Sequence, residues 1–568
     1  MFTPAVALLS LALAQPPALV PAEALERAEK LYAADKFGEA EPLLRAATAT
    51  DEPFLKRRAY TRLLALYLRS GRPDRALELA EPFGKWLDDV RDPAGRAALD
   101  LLCGQCRLDL GYPREADAHL RAALAARPGL SAEQRLDALK LRGETAVARR
   151  DPTERERWLE LQTAARDARA AAETANVAAA RVTAARFLAD AHARLGDPAG
   201  ALAALEPLPE LHDKLNDPRG RRDTQRARAA LFAASGKYPE AAELFAEALK
   251  LHRAHDETRR LLAGDLLAEW AAAAVAAKRP AEAAKLRADA ATEYRAAIAA
   301  PAADPDAGGP LAAFVRLQAL TRSARQFRQA LEVALSAGER WAGDPLVDSR
   351  LRADRGGLEL QTAAYQEARK SLAAALADQD ATKFPNLRSL PKVLVNLATA
   401  ELACDAPEKA DPLLVRCAEL YAKHGLRPDP VLAEAAYLRG VSAARRADFA
   451  AAMAHFDAGL RLCAAAGKPA DQVRFNLALN VALLYKEQGE LARASRALED
   501  AASVLAGFAE PDDVSAALID AVRAELHVAQ EALPAALKLV PGIEAACAKN
   551  GLTSGYLWGT AKHVRALN

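Results

Sequence analysis

From Gly236 to Leu251 the chain reads GKYPEAAELFAEALKL, in which Ala241, Phe245 and Ala248 recur at helical spacing while Glu and Lys fall between them. The pattern predicts an amphipathic helix entered through a turn at Gly236. Related strings run along the whole chain. Aligned on that turn, the equivalents of Gly236 are Asp35, Gly71, Gly111, Asp151, Gly196, Lys278, Arg325, Ala363, Asp405, Ala447, Gly489 and Glu531. From Ala363 onward every step is 42 residues, and the earlier steps run from 36 to 47.

Five residues past the turn, twelve of the thirteen units carry alanine: Ala40, Ala76, Ala116, Ala201, Ala241, Ala283, Ala330, Ala368, Ala410, Ala452, Ala494 and Ala536. Only Glu156 departs. Four residues further on, one turn round the same helix face, nine units carry a large apolar residue, among them Leu120, Phe245, Leu372 and Phe456. Seven residues before the turn, ten units place Ala or Gly on the preceding helix, including Gly104, Ala229, Gly356 and Gly440. Small sites facing large ones predict two helices that approach closely and interlock. One such pair cannot bury its apolar face alone, so stacked pairs must share a core and leave a curved groove.

These spacings resemble the tetratricopeptide repeat, an antiparallel helix pair with a small residue in the first helix, a Gly-centred turn, and Ala, an aromatic or Leu, and Ala in the second. GKYPEAAELFAEALKL follows that signature closely. The ordinary unit is about 34 residues, so a 42-residue period implies longer helices or links. RFNLALNVALLYKEQGELARASRALEDA, from Arg474 to Ala501, resembles the kinesin light chain type. The resemblance implies an all-α, right-handed superhelical solenoid of about 13 repeats with a C-terminal capping helix.

The division expected is an N-terminal array over 22–300, a Pro/Gly loop at 301–310, and a C-terminal array over 311–568. The loop, PAADPDAGGP, breaks helices inside the longest step. TSGYLWGTAKHVRALN falls where a fourteenth first helix would begin and reads as the cap. The fourth unit, RDPTERERWLE, lacks the alanine and reads as a distorted repeat.

Composition narrows the function classes. Seventy-seven basic residues against seventy-six acidic leave a net charge of +1, so no overall field recommends nucleic acid or an anionic membrane. Hydrophobic residues make up 51% and aromatic ones 5%, which fits a helical core built from Ala and Leu. A Walker phosphate loop, GxGxxG, GxSxG and HExxH are all absent, so the chain reads as non-enzymatic, with no cofactor and no metal. Cys103-Gly-Gln-Cys106 has the spacing of a redox pair or half a zinc site, but there is no second CxxC. Cys103 also holds a register position where Leu63, Leu188, Leu317 and Leu397 stand elsewhere, which makes it a core residue. Cys417 replaces a small core residue, and Cys404 and Cys417, on opposite helices of one unit, remain a candidate disulfide. His252, His255, Asp256 and Glu257 are metal-ligating types, set at a helix end where polar residues are routine.

Binding candidates follow from the resemblance, which implies a groove lined by first helices at positions thirteen, ten, nine and six before the turn. Arg58 and Arg62 stand there, with Arg69 further along the same helix, and Arg142, Arg316, Arg350 and Lys392 hold corresponding sites. They suggest a modestly basic groove for acidic protein or peptide segments; ordinary solvated helix charge is the other reading. Asn396 and Asn480 share one register position and Asn476 lies a turn from Asn480. Such Asn residues face peptide backbone in kinesin light chain repeats, where an amide both donates and accepts. The Lys/Asn/Arg clamp of the chaperone-binding branch is not matched: Ala353, Gly357, Glu434 and Leu438 stand where it would need its partners to Asn396. The expected function is a scaffold for protein or peptide segments; a ligand-responsive helical sensor with a small molecule in the groove is the alternative.

At the start, Ala5 to Ala14 is an apolar run ending in Ala12-Leu13-Ala14, the small-x-small form cut by signal peptidase. It is too short to span a membrane. Residues 1–14 therefore read as a signal peptide and 15–21 as a Pro-rich linker, with a cytoplasmic protein as the alternative since no Lys or Arg precedes the run. Export predicts a mature protein beginning at Gln15, read by N-terminal sequencing; retention of Met1 excludes cleavage after Ala14.

Overall fold

The computed structural model describes residues 21–33, 36–127, 129–149, 151–256, 259–299, 310–324, 326–342, 344–467, 470–508, 513–549 and 555–567. The expected signal peptide, Glu257, the turn positions Asp35 and Arg325, and the loop up to residue 309 lie outside them. Among the described residues the chain forms α-helices from Pro21–Ala33 to Tyr556–Ala566 and no strand. Helices alternate as first and second members of thirteen pairs, and Tyr556–Ala566 caps the last pair by packing on both of its helices. The protein is an all-α superhelical solenoid of tetratricopeptide-like units.

The turn within each unit has one recurring geometry. Gly71, Gly111, Gly196, Gly236 and Gly489 adopt φ between 75° and 84°. Lys278, Ala363, Asp405, Ala447 and Glu531 enter the same left-handed region, at a cost of about 1 kcal/mol each for a residue with a Cβ. What holds them there is a backbone bond across the turn. The residue after the turn position donates its N–H to a carbonyl five residues back: Lys237 to Phe232 at 2.9 Å, Arg72 to Tyr67 at 2.7 Å, Ala364 to Glu359 at 2.8 Å. This satisfies a carbonyl the helix end would otherwise leave open. Proline at the first helical position, as in Pro73–Asp89 and Pro407–His424, starts the next helix without losing a needed donor.

All twelve register alanines are 0% exposed, from Ala40 to Ala536. Opposite them the interlock is tight. A Cβ added to Gly104 would lie 2.7 Å from Leu120, one on Gly356 2.5 Å from Leu372, and one on Gly440 2.3 Å from Phe456. Each is a small site of the first helix meeting the large site of the second.

Units four and five depart. In unit four Asp151 itself donates its N–H to the carbonyl five residues back, Ala146, at 3.0 Å, and its carboxylate caps a local turn by accepting from the Thr153 N–H and hydroxyl. Its second helix, Glu154–Thr174, turns Glu156 to solvent and buries Trp158 against Gly143. In unit five Pro207 divides the second helix into Pro198–Leu205 and Leu208–Lys214.

The array also coils back on itself. Units one to three lie against units eight to ten, so helices about seven units apart in sequence share a seam. There the Leu387 N–H donates to the Leu110 carbonyl at 2.7 Å, the Tyr112 hydroxyl to the Pro385 carbonyl at 2.9 Å, and the Gly38 N–H to Asp344 Oδ2 at 2.9 Å. The Arg107 guanidinium stacks on the Phe384 ring at 4.3 Å. One apolar cluster joins Leu63 and Tyr67 to Phe314, Trp341 and Leu351. Across the segment expected to divide the array, Pro280–Ala299 packs on Pro310–Ser323.

Overfilling a small site forces two helices apart, which costs about 1–3 kcal/mol. Ala241→Leu is therefore expected to lower the midpoint of thermal or urea unfolding. Glu243→Leu, at an exposed position two residues away, is expected to change it little. Equal losses for the two variants would refute the register.

Candidate functional site

First helices of neighbouring units touch along most of the solenoid, while among the described residues second helices meet mainly their own partners and the next first helix. The first helices thus form the inner layer, and the predicted binding positions lie on them. Charges on these helices, at and near those positions, bridge from one unit to the next. Glu29 holds Arg58 at 2.7 Å and Arg62 at 3.7 Å. Lys140 meets Asp190 at 2.7 Å, Arg226 meets Glu269, Arg316 meets Asp265 at 3.2 Å, and Lys392 meets Glu434 at 2.7 Å. Lys486 meets Glu525 near the C-terminal end. Partly exposed pairs of this kind contribute only about 0–1 kcal/mol each, so a partner's side chain can replace one member at small cost.

The structure places the ten candidates in different settings. Arg58 and Arg316 keep 50% and 58% of their side chains exposed and remain accessible from solvent. Arg62 and Arg69 stack on the Tyr32 ring at 5.1 and 4.8 Å. Arg142 is buried between units, with Asp117 at 3.2 Å and Glu160 at 3.5 Å, so its role is to join helices. Lys392 and Asn396 lie one turn apart, with Asn396 facing the gap above Gly357. Asn480 donates to the Tyr437 hydroxyl at 3.2 Å and to the Asn476 carbonyl at 2.9 Å. Asn476 in turn accepts from Gln472 at 3.4 Å.

Arg350 stands apart from these pairs, at the seam, with its guanidinium against the turn at Gly71. It lines a cavity of about 610 Å³ whose walls come from units two and three on one side and units eight and nine on the other. Gln318, Arg322 and Asp354 also face this cavity, with Leu110, Val315 and Phe384 as apolar wall. Burial raises the Asp354 carboxyl above the usual range, against the opposing pull of Arg350 and Arg322. Arg72 is also present, but its guanidinium is held by Asp74 at 2.7 Å. Gln318, Arg322 and Asp354 were not among the sequence candidates. The legible signal was an inversion of the interlock: unit eight has Gln318 at the small site and Ala334 at the large one.

The cysteines are all free thiols, including Cys404 and Cys417, and burial pushes Cys103 and Cys417 up to about 12. Such thiols are poor nucleophiles. Asp256 is buried and bound by Arg222 at 2.7 Å and Arg219 at 2.6 Å, closing the end of Tyr238–His255 onto Pro218–Ala234. No helix among the described residues is long and apolar enough to cross a membrane.

No family model matches the chain, and no curated protein matches its sequence. Solved structures with a similar backbone include a tetratricopeptide repeat protein from Parabacteroides merdae ATCC 43184, at 14% identity, covering 53% of this chain and 98% of that one with a TM-score of 0.36. The apo form of RapI is similar at 12% identity over 66% of this chain and 97% of that one, with a TM-score of 0.39. Yeast Tom70 is similar at 13% identity over 96% of each chain, with a TM-score of 0.34. At such identities and scores the fold assignment rests on the chain's own helix pairs.

Two buried histidines give the fold a pH dependence. His212 places Nδ1 3.0 Å from Asp217 and Nε2 3.1 Å from the Thr224 hydroxyl, while both ring nitrogens of His252 lack a partner among the described residues. Burial lowers the pKa of both; Arg222 adds to the effect at His252, whereas Asp217 opposes it at His212. The unfolded chain, titrating near the ordinary value of about 6.5, takes up protons more readily than the folded one. Stability is therefore fully present above that value and falls as pH drops through the depressed folded values, by at most about 1.4 kcal/mol per histidine for each pH unit crossed. The urea midpoint is expected to be lower at pH 5.5 than at pH 7.5, and His252→Leu should shrink the difference. An undiminished difference would exclude His252 as a contributor.

Proposed function

We propose that this protein is a non-enzymatic scaffold that binds protein or peptide segments along its inner face and positions them in a larger assembly. The observation that supports this most directly is the continuous layer of first helices, whose weak charge pairs run from unit to unit and can be exchanged for a partner's. Acidic segments suit it best, because they can take over Arg58 from Glu29 and Arg316 from Asp265. The long units are read as the kinesin light chain type, with Asn396 and Asn476 turned to peptide backbone. If the N-terminal apolar run is a signal peptide, the assembly forms outside the cytoplasm.

Affinity capture followed by mass spectrometry tests the proposal on the full chain. Arg58→Glu/Arg316→Glu is expected to lose acidic partners, by about tenfold for two solvent-exposed charge contacts, while its thermal unfolding stays close to that of the parent. An identical partner set for parent and variant would overturn the basic-groove reading.

A further inference from the structure

We propose that the cavity at the seam is a binding site for a small organic oxyanion, a carboxylate or a phosphate monoester, gripped by Arg322 and Arg350 with the Gln318 amide as a third donor. This site is independent of the inner-face reading, since it is built from two stretches of solenoid that only the coiling brings together.

The first observation is an unused donor. Gln318 is 6% exposed, and its Nε2 has no hydrogen-bond partner among the described residues. A buried amide N–H without an acceptor is costly, and native structures seldom leave one unpaired. Gln318 is one of the residues lining the cavity, so turning its side-chain amide outward would offer this donor to an acceptor placed there.

Charge is the second. On the inner face most of the cations named above are matched by a carboxylate of a neighbouring unit. At the seam neither Arg322 nor Arg350 makes an ion pair or hydrogen bond among the described residues. The carboxylate between them, Asp354, is pushed toward its neutral form by burial. The other carboxylates of the wall are engaged: Asp74 by Arg72, and Asp109 by the Gln105 amide at 2.9 Å. The cavity therefore offers more donors than acceptors. Planar guanidinium groups match the two oxygens of a carboxylate or phosphate.

The third is size and lining. About 610 Å³ lies within the range of small-molecule sites, and Leu110, Val315 and Phe384 add an apolar side against which the carbon skeleton of a ligand can pack. A ligand here would touch unit two or three and unit eight or nine at once. Its binding free energy would then add to the closure of the coil, because the opened form lacks the site.

Isothermal titration and thermal-shift measurements on the full chain test this with citrate and glucose 6-phosphate as probes, and hexaglutamate as a peptide control. At least one small probe is expected to bind one-to-one and raise the melting temperature, and which one does so distinguishes carboxylate from phosphate. Arg322→Ala and Arg350→Ala should each weaken that binding about tenfold, the usual loss for a charge-assisted hydrogen bond. Arg350→Lys should recover part of it, and Arg58→Glu/Arg316→Glu should leave it unchanged. Both alanine variants alter solvent-accessible side chains, and an unchanged circular dichroism melt without ligand shows that they fold. The proposal is overturned if neither small probe binds, if binding survives both alanine substitutions, or if hexaglutamate alone binds.

Discussion

The closeness of the two helices within each unit is the constraint on which everything else depends. An alanine with no exposed surface in twelve units, followed one turn on by a large residue such as Leu or Phe set against Gly or Ala of the first helix, fixes how near two helix axes come. That distance sets the tilt of each pair, and the tilt, repeated, sets the curvature of the solenoid. Dispersion contacts this tight have little room to relax, so the geometry of the inner face is inherited from residues that never touch solvent.

Curvature then determines where charge is needed. Adjacent first helices converge on the inner side, which brings Glu29 to Arg58, Asp265 to Arg316 and Glu434 to Lys392. A chain with a net charge near zero is what such bookkeeping across units produces. At the seam this matching is incomplete: Lys383 meets Glu81 at 3.6 Å, but Arg322 and Arg350 find no such carboxylate among the described residues. Units that are remote in sequence meet there, and the repeat's own rule for pairing neighbours does not reach them.

The fold was legible because its rule is local and periodic: turn, small residue, large residue, at fixed offsets. Even the residues forced into left-handed turns, such as Ala363 and Glu531, were located by register although their type gives no hint of it. The tertiary interlock imposes that backbone against local preference. The charged candidates were found as positions, but not as states. Arg142 and Arg58 occupy related sites, yet one is buried between Asp117 and Glu160 and the other is half in solvent. Which carboxylate answers a given arginine depends on helix orientation, which single-residue spacing does not encode. The seam was invisible for a stronger reason. Contacts between Leu110 and Leu387, or Gly71 and Arg350, depend on accumulated curvature over seven units, and small angular differences per unit decide whether they form.

A coil laced to itself also has different mechanics from an open one. A free helical solenoid extends like a spring, sharing a pull evenly among all its joints. Here extension must first break the Leu110 to Leu387 backbone bond, the Tyr112 hydroxyl bond and the Arg107 stack, which lie close together and take the load in parallel. Resistance is concentrated there until they give way, after which the same chain becomes compliant. The molecule is thus a spring with a catch, stiff to small forces and soft to larger ones.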